Sequence, residues 1–234
     1  MVRLISVLVL FSTSFIFTDS YALQDRSLKA GVYYMWRDDP FAVKAGEENV
    51  LRAKLRQEVS SAFSRLGSGI DISFVKVLPE IQFDYLVLGK GEIRGISPRS
   101  FFLAARSNED VLLDLESVDF LFVFTWDFII QRWMDSGLVE IDSQESIIGA
   151  VYVSLGGITE HGGKISLIRF DEDAMLLQNR IMHESGHLLG LADKDKVLCK
   201  FSLTIMCWPV KPQMEIGDEI KIRLNEYIAE KPLP

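Results

Sequence analysis

Two periodicities of apolar residues divide the first half of the chain into predicted strands and a helix. From Glu47 to Leu66 apolar residues recur at helical spacing, and Gly67-Ser68-Gly69 ends the pattern. Short apolar and β-branched runs predict strands at residues 29–36, 70–78, 83–89 and 118–125. The chain is therefore expected to combine several strands with a long helix.

Further elements are predicted in the second half of the chain. They are one or two helical turns within 97–117, a helix or ordered loop at 127–147, strands at 150–155 and 165–170, a helix from Asp173 to Met182, and a last helix at about 215–229. Acidic residues at 171–173 stand at the start of the helix that runs to Met182, and negative charge is favourable at a helix N-terminus.

The stretch HESGHLLGLAD, residues 183–193, continues this helix and carries the clearest chemistry. His183 and His187 lie four residues apart, so both imidazoles project from one helix face about 5–6 Å apart and can bind one metal ion. Glu184 lies beside them and is free to act as a base. This combination predicts a zinc-dependent hydrolase that acts on peptide bonds.

A catalytic zinc site needs three protein ligands and a water, so the two histidines leave one ligand to be found. A helix continued beyond His187 would carry the next residues away from the metal. Gly190 can adopt the left-handed conformation that ends a helix, and Asp193 can then return a carboxylate oxygen to the metal. Asp193 is therefore the predicted third ligand.

Other residues could complete the site instead. Glu215 and Glu219, on the last predicted helix, could supply a later glutamate ligand as in thermolysin-like enzymes. That scheme does not explain the glycine and aspartate that follow the histidines. His161, the one histidine outside the motif, and Cys199 are further candidates.

The motif resembles that of the metzincin metalloproteases, HExxHxxGxxH followed by a methionine-containing turn. Aspartate at the last position is similar to the snapalysin group of small secreted metzincins, which use aspartate as the third ligand. The specific resemblance covers residues 183–209. It implies one catalytic Zn²⁺ on His183, His187 and Asp193, with Glu184 as the general base.

The resemblance also implies residues around the metal. Met206 would form an apolar floor under the histidines without binding the ion. The pocket wall for the substrate side chain that follows the cut would comprise Trp208, Pro209 and Val210. The antiparallel edge strand that a substrate joins would comprise Val151, Tyr152, Val153 and Ser154.

The fold that the resemblance implies is α+β. It has a twisted, mixed, mostly parallel sheet of about five strands, a long packing helix, a helix that carries the zinc site and a C-terminal helix. With 48% hydrophobic residues and no low-complexity tract, residues 23–234 can form one core and a single catalytic domain.

Residues 1–22 have the features of a secretory signal. Arg3 precedes an apolar run from Leu4 to Phe17, and Ser20-Tyr21-Ala22 offers small residues at a cleavage site. The run is short for a membrane span, although an uncleaved anchor is an alternative. We therefore expect a secreted or extracytoplasmic protein with no stable membrane span after signal cleavage.

Charge and cysteine usage refine this picture. The formal net charge of −8 speaks against nucleic acid as a partner. In an oxidising compartment Cys199 and Cys207 would form one disulfide that braces the loop carrying Met206, the alternative being two free buried thiols.

These observations predict a monomeric, secreted zinc endopeptidase whose partners are protein or peptide substrates. The alternative is a secreted binding or structural module that keeps zinc in a non-catalytic metzincin-like fold.

Overall fold

The computed structural model describes residues 27–35, 47–88, 93–133, 151–160, 162–193, 204–206 and 210–231. The predicted signal, His161, both cysteines, Trp208 and Pro209 lie outside these residues. The predictions made for them remain predictions. Within the described ranges, no helix has both the length and the apolar character needed to cross a membrane.

The described residues form nine strands and five helices. In chain order they are β1 (Leu28–Tyr34), α1 (Glu48–Arg65), β2 (Ile70–Val77), β3 (Tyr85–Leu88), β4 (Ile93–Ile96), α2 (Pro98–Arg106), α3 (Glu109–Ser117), β5 (Phe120–Thr125), β6 (Phe128–Trp133), β7 (Val151–Leu155), β8 (Gly157–Thr159), β9 (Ile165–Arg169), α4 (Ala174–Leu188) and α5 (Asp218–Glu230).

A five-stranded sheet with the order β2-β1-β5-β9-β8 forms the middle layer. The first four strands are parallel, and β8 at the edge runs antiparallel to β9. The predicted mixed, mostly parallel sheet is therefore confirmed, as are the long helix, the helix carrying the histidines and the C-terminal helix.

Strand β5 explains how this sheet is buried on both faces. All six of its residues are buried, because β5 has neighbours on both sides and packed layers above and below. Side chains of a strand alternate between faces. Phe120, Phe122 and Phe124 accordingly join one hydrophobic cluster, and Leu121 and Val123 join the other.

The two clusters define the outer layers. The cluster around the phenylalanines of β5 includes apolar residues of α1, α4 and α5. The cluster on the other face includes apolar residues of α2, α3 and a second, four-stranded sheet with the order β3-β4-β6-β7. Helix α4, which carries the candidate metal ligands, therefore packs on the main sheet at β8 and β9, beside α1.

The second sheet differs from the prediction for residues 127–147. Residues 128–133 form strand β6, which pairs with β4 and β7, so the prediction of a helix or ordered loop is wrong there. Phe128, Ile129 and Ile130 form a continuous apolar run, and such a run does not distinguish a buried strand from a buried helix. Residues 134–147 lie outside the described ranges.

Residues 151–154 are the predicted substrate edge, and that role stays a prediction. They belong to β7, the edge strand of the second sheet, which is antiparallel to β6. The antiparallel edge of the main sheet is β8. The backbone passes from one sheet to the other at Gly156, where a Cβ would lie only 2.7 Å from Nε of Arg180. The glycine-rich segment thus contains a strand and a change of sheet, where the sequence pattern predicts only a connection.

Candidate metal centre

Helix α4 is fixed at its N-terminus and along its buried face. The carboxylate of Asp173 accepts hydrogen bonds from the backbone N–H groups of Met175 at 2.9 Å and Leu176 at 3.1 Å, which caps the helix. Leu177 and Ile181 are completely buried in the core. The helix therefore presents its last two turns in a defined orientation.

Both histidine rings are oriented through Nδ1. Nδ1 of His183 lies 2.8 Å from the carbonyl oxygen of Ile205, and Nδ1 of His187 lies 2.8 Å from the carbonyl oxygen of Leu191. A carbonyl can only accept, so each neutral ring carries its proton on Nδ1. Both Nε2 atoms then keep a free lone pair, as histidine ligands of metals require.

The chain turns at Gly190 as predicted. Gly190 has φ of 83°, in the left-handed region, and its N–H donates to the carbonyl oxygen of His187 at 2.9 Å. The N–H of Leu191 donates to the carbonyl oxygen of Gly186 at 2.9 Å. These are the hydrogen bonds of a glycine helix cap, and they return Asp193 to the histidines.

Three donor atoms converge at the turn. The Nε2 atoms of His183 and His187 are 3.2 Å apart, and Oδ1 of Asp193 lies 3.3 Å and 3.5 Å from them. Tetrahedral zinc with ligand bonds of 2.0–2.1 Å places its donors about 3.3–3.4 Å from each other. The spacing and the nitrogen and oxygen donors therefore fit zinc.

Of the alternative ligands, Glu215 and Glu219 are not part of this group, while His161 and Cys199 lie outside the described residues. Among the described residues, His183, His187 and Asp193 form the group that can hold a metal ion. Glu215 lies before α5 and forms a β-bridge with Thr204, while Glu219 is in the first turn of α5.

The charges at the centre favour a cation. Burial would lower the pKa of His187, but the hydrogen bond to Asp193 and the charge of Glu184 raise it to about 9. Burial would raise the pKa of Asp193, but its hydrogen bond to His187 and the two imidazoles hold it below its ordinary value. An ionised aspartate beside a histidine with a raised pKa forms a site at which a metal cation can replace the proton.

Glu184 lies on the side of α4 that faces β8. It is 2% exposed, and burial raises the pKa of its carboxyl, an effect opposed by His183, His187 and the hydroxyl of Thr159. Thr159 Oγ1 donates to Glu184 Oε2 at 2.7 Å. The candidate base is thus a desolvated carboxyl held by the edge strand.

Met206 lies against the same helix. It is 1% exposed and follows Ile205, whose carbonyl oxygen accepts from His183. A Cβ at Gly186 would overlap Met206 Sδ, so the absence of a side chain at Gly186 permits this close packing. Val210 is half-buried and packs against the same hydrophobic cluster.

Sequence reasoning missed Thr159 and Gly157, the two β8 residues that contact Glu184. Neither belongs to a motif. The one local signal for a strand is an Ile-Thr pair within the glycine-rich segment. This pair indicates a strand only once the pairing of β8 with β9 is known.

No protein-family model matches the sequence. No curated protein matches it either. The crystal structure of archaemetzincin from Methanopyrus kandleri does match, with a TM-score of 0.53 and 12% identity, over 88% of this chain and 97% of that chain. The chain shares the archaemetzincin fold. At this identity the match shows the fold alone.

Two other solved structures are similar at lower scores. Archaemetzincin from Archaeoglobus fulgidus, complexed with malonate, has a TM-score of 0.38 and 13% identity, over 84% of this chain and 92% of that chain. A zinc-dependent peptidase from Methanocorpusculum labreanum has a TM-score of 0.41 and 13% identity, over 83% of this chain and 100% of that chain.

Proposed function

We propose that the chain is a zinc-dependent peptidase in which His183, His187 and Asp193 hold the ion and Glu184 is the general base. The observation that carries the proposal is the tetrahedral spacing of three donor atoms directly beside a buried carboxyl. The archaemetzincin fold supports it, as does the resemblance of the motif to metzincins.

Glu184 has the properties that general-base catalysis needs. Bound zinc would polarise the scissile carbonyl and make the attacking water more acidic. Oε1 of Glu184 would accept a proton from that water and pass it to the leaving amine nitrogen. Burial raises the pKa of Glu184, which lets the carboxyl hold the proton between the two transfers.

Strand β8 supports peptides as substrates. It is the terminal strand of the main sheet and hydrogen-bonds to β9 on one side. Its other side can bind an extended main chain, and Thr159 of this strand contacts Glu184. An open strand edge accepts chain on both sides of the cut, so we propose endopeptidase activity with Val210 near the pocket.

The proposal also includes features that rest on the sequence. Aspartate as third ligand supports the snapalysin-like variant, with Met206 as the floor of a single-zinc site. The features of residues 1–22 support export, and export supports a disulfide between Cys199 and Cys207. We propose a secreted monomer on this basis.

Incubating residues 23–234 with a proteome-derived peptide library tests the proposal. We expect internal cuts, detected by mass spectrometry, that a chelator abolishes and zinc restores. Glu184→Gln should lower kcat at least about 100-fold while zinc stays bound, because it removes the proton acceptor. The control Glu116→Gln, at an exposed residue of α3, should match wild type. Stoichiometric zinc with no cleavage of any peptide would instead support a non-catalytic binding module.

A further inference from the structure

The carboxyl of Glu184 is held from one side by two residues of β8. Thr159 Oγ1 lies 2.7 Å from Oε2 and 3.1 Å from the main-chain oxygen of Glu184. On the same strand Gly157 leaves room for the other oxygen, because a Cβ there would lie 2.6 Å from Oε1. The edge strand therefore distinguishes the two carboxyl oxygens.

The hydroxyl of Thr159 is itself oriented by a third group. Its Oγ1 lies 2.8 Å from Oγ of Ser166, which is fully buried on β9. A hydroxyl has one proton to donate and two lone pairs that accept. When Ser166 donates to Thr159, the proton of Thr159 is directed to an oxygen of Glu184. The chain from Ser166 through Thr159 to Oε2 is then fully hydrogen-bonded.

This arrangement leaves one oxygen of Glu184 for chemistry. In the described part of the chain, Oε2 accepts from a hydroxyl, whereas no donor lies at Oε1. A buried glutamate without such a bond could rotate about its last torsion, which is broad and two-fold. Fixing Oε2 therefore fixes the direction of Oε1.

We propose that Thr159, oriented by Ser166, is a positioning residue that holds Oε2 of Glu184 and so directs Oε1 at the attacking water. The proposal rests on the peptidase function proposed above. Its chemistry requires a hydroxyl at position 159, which serine can supply and valine cannot. It also requires glycine at position 157, because a Cβ there would lie too close to Oε1 of Glu184.

Kinetics of variants separate positioning from simple stability. We expect Thr159→Val to lower kcat at least tenfold with KM changed less than twofold, because substrate binding does not use the hydroxyl. Thr159→Ser should restore kcat to within about threefold. Ser166→Ala should have an intermediate effect of the same kind. Zinc content should stay at one per chain in all three.

Thr125→Val is the matched control for loss of a buried threonine hydroxyl. Thr125 is 1% exposed and accepts from the N–H of Asp127 at 3.0 Å, at the end of β5. This variant should keep wild-type kcat. If it lost as much activity as Thr159→Val, or if Thr159→Val kept wild-type kcat, the positioning role would be refuted.

A spectroscopic readout tests the positioning apart from catalysis. In zinc-loaded protein labelled with ¹³C at glutamate Cδ, the Glu184 signal is assigned by its loss in Glu184→Gln. It should move in Thr159→Val and keep its position in Thr159→Ser. If the signal does not move, the proposal is wrong whatever the activity. If it moves but wild type cuts no peptide, positioning stands and the peptidase function fails. If Thr159→Val does not fold, Ser166→Ala takes its place: kcat should fall and the Glu184 signal should move, and the proposal is wrong if neither changes.

Discussion

At the scale of single residues, Gly190 determines whether Asp193, the proposed third ligand, can reach the histidines. Its φ of 83° lies in the left-handed region, which is energetically unfavourable for any residue that has a Cβ. Among the described residues no atom would lie within 4 Å of a Cβ at this position, so within that part of the chain backbone conformation is the obstacle to substitution. The requirement for glycine is therefore conformational and not steric.

Gly190→Ala should destabilise the zinc-free protein by about 1–2 kcal/mol, because alanine must adopt the left-handed conformation. Urea unfolding gives the change. Gly69→Ala is the matched control, since a Cβ at Gly69 also meets no atom of the described residues within 4 Å and its φ is not positive. It should be neutral or stabilise by up to about 1 kcal/mol. Equal effects at the two positions would show that φ is not the cause.

At the scale of residues, one part of the candidate site could be predicted from the sequence and another part could not. His183, Glu184, His187 and Asp193 fall within eleven consecutive residues, so helix geometry and one glycine suffice to predict their proximity. Thr159 lies 25 residues before Glu184 in the sequence. Its contact depends on the pairing of β8 with β9, which no local pattern in a glycine-rich segment encodes.

At the scale of elements, α4 packs on the segment 204–206, which includes the proposed floor of the site. Met206 is buried against Gly186, and the preceding carbonyl oxygen, that of Ile205, holds His183. Asn179, one turn earlier on α4, donates to the carbonyl oxygens of Lys211 at 2.7 Å and Pro212 at 3.0 Å. The helix therefore holds the chain on both sides of the predicted pocket wall.

A double-mutant cycle tests the contact between α4 and Met206. Gly186→Ala alone should destabilise, because the new methyl group overlaps Met206 Sδ and overpacking costs about 1–3 kcal/mol. In the Met206→Ala background the same change should stabilise by up to about 1 kcal/mol, because alanine favours the helix. We expect coupling of at least about 1 kcal/mol in urea unfolding of the zinc-free forms.

Val111→Ala provides the control partner for this cycle. Val111 is fully buried, but it belongs to the hydrophobic cluster on the other face of the main sheet. Its effect should add to that of Gly186→Ala within about 0.5 kcal/mol. Additivity of Gly186→Ala with Met206→Ala as well would contradict the close packing.

Elements were predictable where one periodicity extends over their length. Helix α1 and the central strand β5 have unambiguous patterns, and their observed bounds lie within two residues of those predicted. Strands β6 and β8 do not. A continuous apolar run leaves β6 ambiguous, and β8 has only three residues, the first of them glycine, which are too few to show a period.

At the scale of the whole molecule, the candidate metal centre joins segments that are distant in the chain. The histidines belong to α4, and Asp193 follows the turn at its end. The ring of His183 is held by Ile205, 22 residues away. The adjacent carboxyl of Glu184 contacts β8, at the edge of the main sheet. A metal ion that binds this folded arrangement should stabilise the whole domain.

Zinc should therefore raise the thermal midpoint, and its removal by a chelator should lower it. At free zinc 100 times Kd, the native state gains about 2.7 kcal/mol. For a domain of this size that corresponds to roughly 5–11 °C, measured by circular dichroism at fixed free zinc.

Asp193→Asn should weaken zinc binding at least tenfold, because a neutral amide replaces a charged ligand, and the midpoint should then rise less at the same free zinc. Asp195→Asn, two residues along the chain, is the matched control and should respond like wild type. If zinc raised the midpoint of Asp193→Asn and wild type equally, Asp193 would not be a ligand.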